Sequence, residues 1–146
     1  MTVTLSQQDY WELVWTSQTP DEISSSNSFE KTLHYPDHLG QGFYRSLELR
    51  EGITLGISHC HLHADDVEIV SPERFHDLEY YFCLAGKTHD EQEMLEAGRY
   101  FLTGSGMAPA ETCTKLADGQ TISINIHIES SRSEERRVGK ECRSRW

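Results

Sequence analysis

From Thr121 to Ile128 the chain reads T-I-S-I-N-I-H-I, with Ile122, Ile124, Ile126 and Ile128 alternating against Ser123, Asn125 and His127. A period of two over eight residues suits only an extended strand with one apolar and one polar face. Similar short runs recur along the chain. They cover Phe29 to Tyr35, Gly42 to Arg50, Ile53 to His63, Val67 to Val70, Leu78 to Ala85 and Gly98 to Leu102. Turn residues punctuate them at Leu39-Gly40-Gln41-Gly42, Arg50-Glu51-Gly52, Gly104-Ser105-Gly106 and Asp118-Gly119, which reads as a series of hairpins. Short strands at this spacing predict a mainly β fold, a barrel or sandwich, and argue against alternating βαβ units.

Only the N-terminus departs from strand grammar. Ser6 followed by Asp9 resembles a capping box, and Leu5 and Tyr10 are placed as a hydrophobic staple across it. A short helix from about Gln7 to Trp15 is expected. Its stripe of Tyr10, Trp11, Val14 and Trp15 would pack on a sheet or serve as the dimer helix of a homodimer. The Ser-rich run from Thr16 to Asn27 reads as a surface linker. The expected division is therefore 1–28 for helix and linker, 29–130 for the β domain and 131–146 for a tail.

That tail, SRSEERRVGKECRSRW, is chemically foreign to the rest. The chain of 146 residues carries a formal charge of −11. Setting aside the tail's six basic and three acidic residues leaves 7 Lys and Arg against 21 Asp and Glu, a charge of −14. Such a body repels polyanions, since Lys and Arg supply most non-specific affinity for phosphate backbones. The tail has no hydrophobic period and resembles translated vector or adapter DNA more than a nucleic-acid-binding arm. The expectation is that the native chain continues past Glu129.

Aromatic residues at 10% and a mean hydropathy of −0.60 fit a folded domain. No apolar run approaches 18 residues and no basic-then-apolar leader is present, so neither a membrane span nor a secretory signal is expected and the expected compartment is cytoplasmic. Cys60, Cys83 and Cys113 lack CxxC spacing and read as reduced thiols.

Two constellations carry possible chemistry. His59, His61 and His63 alternate, placing their side chains on one face roughly 6–7 Å apart. With Glu68 they form His61-x-His63-x4-Glu68, which matches the first metal-binding motif of cupin barrels. The flanking glycines are out of place, however, and only His127 is available as a fourth ligand. A metal-dependent cupin enzyme using a divalent metal at His61, His63 and Glu68 is the alternative reading; a solvated strand face is the other. The second constellation runs from Pro72 to Gly86. Glu73, His76 and Glu79 offer general acid and base groups. No nucleophile motif or phosphate loop accompanies them, so no catalytic residue is assigned and a loop salt bridge is preferred. Leu78, Tyr80, Phe82 and Leu84 share one strand face, and Glu79, Tyr81 and Cys83 the other.

Taken in order, several motifs carry a family resemblance. They are Tyr35-Pro36, Leu39-Gly40-x-Gly42, Arg45-x-x-Glu48-Leu49-Arg50-Glu51-Gly52, Pro72-Glu73-Arg74-x-His76-x-Leu78-Glu79-Tyr80-x-Phe82-x-Leu84-x-Gly86, Ala97-Gly98, Gly104-Ser105-Gly106-x-Ala108-Pro109 and Ile126-His127-Ile128-Glu129. Together they resemble the N-terminal effector and dimerisation region of AraC-type transcriptional regulators, most nearly the siderophore-responsive subgroup typified by pyochelin-receptor regulators. The likeness spans Thr2 to Glu129; the run His59-Cys60-His61-x-His63 departs from it. The resemblance implies a cupin-like β-barrel or sandwich that senses a small effector such as an iron-siderophore, without being an enzyme and without a cofactor. Arg45, His76, Tyr80 and Phe82 would line the ligand pocket, with Arg45 or Arg50 facing an anionic chelate or else paired with Glu48 or Glu51 on the surface. Promoter DNA would be held by a double helix-turn-helix half that this truncated chain lacks.

Overall fold

The computed structural model describes residues 2–18, 29–90, 94–104 and 106–129. Residues 19–28, most of the expected linker, and the tail 131–146 lie outside the described residues. Among the described residues, thirteen strands and one helix follow in the order β1 (Thr2–Ser6), α1 (Gln7–Thr16), β2 (Glu30–His34), β3 (Gly40–Arg50), β4 (Ile53–Leu62), β5 (Asp66–Ser71), β6 (Arg74–His76), β7 (Leu78–Ala85), β8 (Lys87–Asp90), β9 (Met94–Glu96), β10 (Tyr100–Thr103), β11 (Gly106–Ala108), β12 (Glu111–Lys115) and β13 (Gln120–Ile128).

The strands form a five-stranded sheet in the order β1-β5-β12-β8-β9, a six-stranded sheet in the order β10-β7-β13-β4-β3-β2, and a small ribbon of β11 with β6. Only β1 with β5 is parallel; every other described ladder is antiparallel. Leu33, Cys60 and Leu62 of the larger sheet share one buried cluster with Val67 of the smaller sheet and Tyr10 and Val14 of α1. The two sheets therefore face each other as a sandwich. No ladder joins their edges among the described residues, so the barrel-or-sandwich expectation resolves to the open form.

The helix starts where the capping signal places it. Ser6 Oγ accepts from the Asp9 amide at 3.0 Å, satisfying one of the donors that a helix N-terminus leaves free. Tyr10 and Val14 are 3% and 1% exposed, and the Tyr10 hydroxyl donates to that of Tyr35 at 2.7 Å. Most of the apolar stripe is thus spent inside the protomer; Trp15, at 46%, is what it leaves outside. Past the helix, the buried Gln18 fastens the chain to β2. It accepts from the His34 amide and donates to the His34 carbonyl, both at 2.9 Å.

Several boundaries differ from the sequence reading. Gly40 and Gly42 belong to β3, not to the turn, which is closed earlier by Pro36 to Leu39. At Gly42, φ is +137° and a Cβ would collide with the carbonyl of His59, so the neighbouring strand's close approach is what demands glycine. The Asp118-Gly119 turn is a crossover rather than a hairpin, because it carries the chain from β12 in one sheet to β13 in the other. The sequence pattern does not mark strands β1, β6, β8, β9, β11 and β12. They are short, and runs such as K-T-H-D and E-T-C-T-K carry too few apolar residues to show a period.

Candidate functional site

The isoleucine ladder of β13 does not point into the sandwich. Cys60 and Leu62 lie in the core, so the even positions of β4 face inward, and register then fixes the neighbours. Tyr44 pairs Ser58, Ser58 pairs Ser123, Gly56 pairs Asn125, Asn125 pairs Tyr81, and His127 pairs Glu79. The inner face of the larger sheet is therefore apolar only at the α1 end and polar over the rest. Opposite, Lys115 pairs the buried Val67 and Thr88 and so enters the same interior from β12.

At the open end, Glu79 is the centre of the polar set. Its side chain is 13% exposed. Oε1 accepts from Asn125 Nδ2 at 2.8 Å and lies 3.6 Å from His127 Nε2; Oε2 lies 3.5 Å from His76 Nε2. Asn125 Nδ2 also sits 2.9 Å from His127 Nε2. His76 is turned by its other nitrogen, Nδ1, 2.6 Å from the Asp77 carbonyl. At Gly104 a Cβ would strike both that carbonyl and the ring, so glycine there keeps the imidazole in place.

Deeper in, Tyr44 joins the open end to the core. Burial pushes its phenol up, the Glu79 carboxylate adds to the rise, and a hydrogen bond with Asn125 opposes it. Gly56 faces Asn125 Oδ1 and the Tyr44 hydroxyl so closely that no side chain fits. The Tyr44 ring also stacks edge-on against Trp11 of α1 at 5.3 Å. Beyond it stands Lys115, which keeps some accessible surface although burial is the largest influence on its ammonium. Burial opposes the charge, while Tyr35, Tyr10, Cys60 and Cys113 favour it in their ionised forms, and the net direction for the lysine is well above its ordinary value. The interior thus combines a cation ringed by phenols with a carboxylate and two imidazoles at the mouth. Chemically it can seat an anionic group at one end and hydrogen-bond a polar group at the other.

The four expected pocket residues do not converge. His76 faces the interior. Arg45 points out from β3, 47% exposed, and pairs with Glu30 at 3.2 Å and Thr32 at 3.3 Å rather than with Glu48 or Glu51. Tyr80 and Phe82 lie on the outer face of β7, stacked at 6.2 Å. Their strand neighbours Glu79 and Tyr81 hold the inward places. Of the acid–base set, Glu73 is exposed and stands apart from His76 and Glu79.

The expected metal set is not assembled either. His61 is exposed on the outer side of β4 because Cys60 and Leu62 take the inner one. His63 lies past the strand's end, also exposed. Glu68 belongs to the other sheet, on the side opposite the buried Val67, and accepts from Thr4 at 2.9 Å. His59 packs on Phe43 at 5.9 Å. Among the described residues no group of three or more His, Cys, Asp and Glu is arranged to hold a metal. An open pocket of about 360 Å³ lies elsewhere, bordered by Gly86, Lys87, Glu96 and Asp118 to Thr121. It sits at the far end of β13 from His127, roughly 20 Å away at ~3.3 Å per residue.

Sequence reasoning missed Lys115, Tyr44 and Asn125. The signal for Asn125 and His127 was present as the polar half of the isoleucine alternation; what the alternation withholds is which half faces in.

No protein-family model matches the sequence, and no curated protein matches it. Solved structures do overlap with it. One is a protein of unknown function with a cupin-like fold from Ralstonia eutropha, at 15% identity and TM-score 0.43, covering 61% of each chain. Another is the cupin domain of Schizosaccharomyces pombe Cnp3, at 15% identity and TM-score 0.48, covering 79% of this chain and 77% of that one. A third is an HTH_3 family transcriptional regulator from Vibrio cholerae, at 13% identity and TM-score 0.43, where the match takes in 83% of this chain and 60% of that one. Overlap of this degree is a likeness of strand arrangement and carries nothing about activity. Among the described residues, no helix is long and apolar enough to cross a membrane.

Proposed function

We propose that this chain is the effector-sensing domain of an AraC-type transcriptional regulator, and that the polar interior between its sheets opens as a cleft for a small anionic effector, an iron-chelate of the siderophore type being the leading class. The observation that carries the reading is the polar interior. A sandwich that turns the half-buried Lys115, Tyr44, Glu79, Asn125 and His127 inward between its sheets forgoes apolar burial there, and a ligand site is a reason to do so. The anion would seat at Lys115 and its polar groups at Glu79 and His127. Arg45, on the outer face, has no part in it. Trp11 against Tyr44 supplies a route by which occupancy of the cleft would bias the packing of α1. Promoter DNA would be bound by another part of the regulator.

The test is calorimetric titration of the full chain with salicylate and catecholate and with their iron(III) complexes, alongside Lys115→Met. Saturable binding in the wild type, weakened at least tenfold in Lys115→Met without loss of the fold, is expected. Equal binding by the variant refutes the site, and turnover of a bound probe would favour an enzyme.

A further inference from the structure

Across β10, β7, β13 and the first half of β4, the outer face of the six-stranded sheet is apolar and uncovered. At its centre Ile124 of β13 pairs Ile57 and Phe82, and Ile126 pairs Leu55 and Tyr80. None of these six reaches the buried state of Cys60 or Leu62 on the inner side. The face continues onto β10, where Tyr100 is 69% exposed and its ring stands 6.0 Å from that of Phe82. No described element packs over it. Hydrophobic residues shielded only by their strand neighbours are a standing cost in water, and contiguous patches of this kind mark interaction surfaces.

We infer that a second copy of this chain covers that face, sheet against sheet, about a two-fold axis near Ile124. Size is the first argument. Eight-residue stretches of β7 and β13, the five residues Ile53 to Ile57 of β4 and the four of β10, at about 4.8 Å between strands and about 3.3 Å per residue, give roughly 400 Å² in flat projection. Two copies cover about 800 Å² in projection, and side chains and pleats raise the accessible area removed toward the ~1,000 Å² of a specific interface. Charge is the second. The body of the protein is strongly acidic, yet the central strands place no acidic or basic side chain on this face between Ile53 and Ile57, Leu78 and Leu84, or Ile122 and Ile128. Two copies can meet there without bringing carboxylates together, and a two-fold interface needs a patch that complements itself. Shape is the third: twisted sheets pack face to face at about 10 Å, as the two halves of a sandwich do. The stretches outside the described residues are no substitute. Residues 19–28 contain one large apolar side chain, Ile23, and 130–146 are dominated by charge. The interface assigned in this way is not the α1 stripe, whose Tyr10 and Val14 are already buried.

Sedimentation equilibrium of the full chain across about 1–100 µM reads the outcome. The wild type is expected at twice 16.8 kDa. Ile124→Lys, and independently Tyr100→Lys at a site already exposed in the protomer, should halve that mass with the far-ultraviolet circular dichroism unchanged. Trp15→Glu on α1 should leave the dimer intact. A wild type that stays at 16.8 kDa throughout overturns the inference, as does a dimer that survives both lysines or is dissociated by Trp15→Glu.

Discussion

Removing the Tyr10 hydroxyl tests whether α1 is locked into the sandwich through a specific polar contact or merely by greasy packing. The Tyr10 and Tyr35 hydroxyls meet at 2.7 Å within the core cluster, and both residues are buried. Tyr10→Phe deletes the donor and leaves the Tyr35 hydroxyl with the Cys60 thiol alone; Tyr35→Phe leaves the Tyr10 hydroxyl without its acceptor. Each should cost about 1–1.5 kcal/mol, the usual loss when a buried hydrogen bond is broken from one side. The double variant removes both polar atoms together and should cost about the same as either single, not their sum. The coupling is then about 1 kcal/mol. For a domain of this size 1 kcal/mol moves Tm by about 3–5 °C, so each variant should melt about 3–7 °C low. Alkaline melts supply a second reading. Burial pushes both phenols above their ordinary value of 10.0, with Lys115 opposing. The folded state therefore holds these protons more tightly than the unfolded one. That stability is fully present below about pH 10 and is lost as pH climbs through the raised values. The double variant should show a shallower loss above pH 10 and no change in slope near neutrality. Calorimetry of the four proteins at pH 7 and pH 10.5 decides it. Additive costs, or an alkaline slope identical to wild type, would refute the coupled buried pair.

Other outcomes follow from single residues. Leu62→Ala, at a side chain 2% exposed in the core, should cost about 2–5 kcal/mol in chemical denaturation; a loss under 1 kcal/mol would mean that the core lies elsewhere. Gln18→Ala strips two hydrogen bonds from His34's backbone and should lower stability by about 1–3 kcal/mol, with faster amide exchange at His34 as its local signature. His61→Ala and His63→Ala, at exposed positions away from Glu68, should shift Tm by no more than about 2 °C and leave metal content by mass spectrometry unchanged; loss of a stoichiometric metal would revive the histidine site.

Period and capping carried much of the architecture. The capping box fixed the start of α1, and alternation located β4, β7 and β13 within about a residue of their ends, because long ladders impose a regular pattern on both faces. The polar strands β8 and β12 escape the period because their pairing rests on backbone bonds that any side chain permits. The site was less legible for one reason. A period of two says that Ile126 and His127 point apart, but only the position of Cys60 and Leu62 relative to Val67 says that His127 is the inner one. The prior that isoleucine goes in and histidine goes out is inverted here. That inversion moves Tyr80 and Phe82 out of the expected pocket and brings Glu79 and Asn125 in.

The inversion also ties the two proposed surfaces together. On β13, Asn125 contacts the Glu79 end of the cleft while Ile124 and Ile126, one residue to either side, form the centre of the outer face. A strand cannot translate or twist to accommodate a ligand at Asn125 without moving both isoleucines, because alternating side chains share one backbone. If cleft and outer face are each occupied as proposed, their binding energies are linked, and linkage is reciprocal: whatever factor dimerisation applies to effector affinity, the effector applies to dimerisation. The expected result is a probe affinity that differs between wild type and monomeric Ile124→Lys, matched by an equal shift in the dimer dissociation constant when wild type is saturated with probe. A coupling of about 1 kcal/mol would appear as a roughly fivefold change in each. Identical affinities in monomer and dimer would show that β13 transmits nothing between its faces, and sensing would then have to leave the domain through Tyr44 and Trp11 instead.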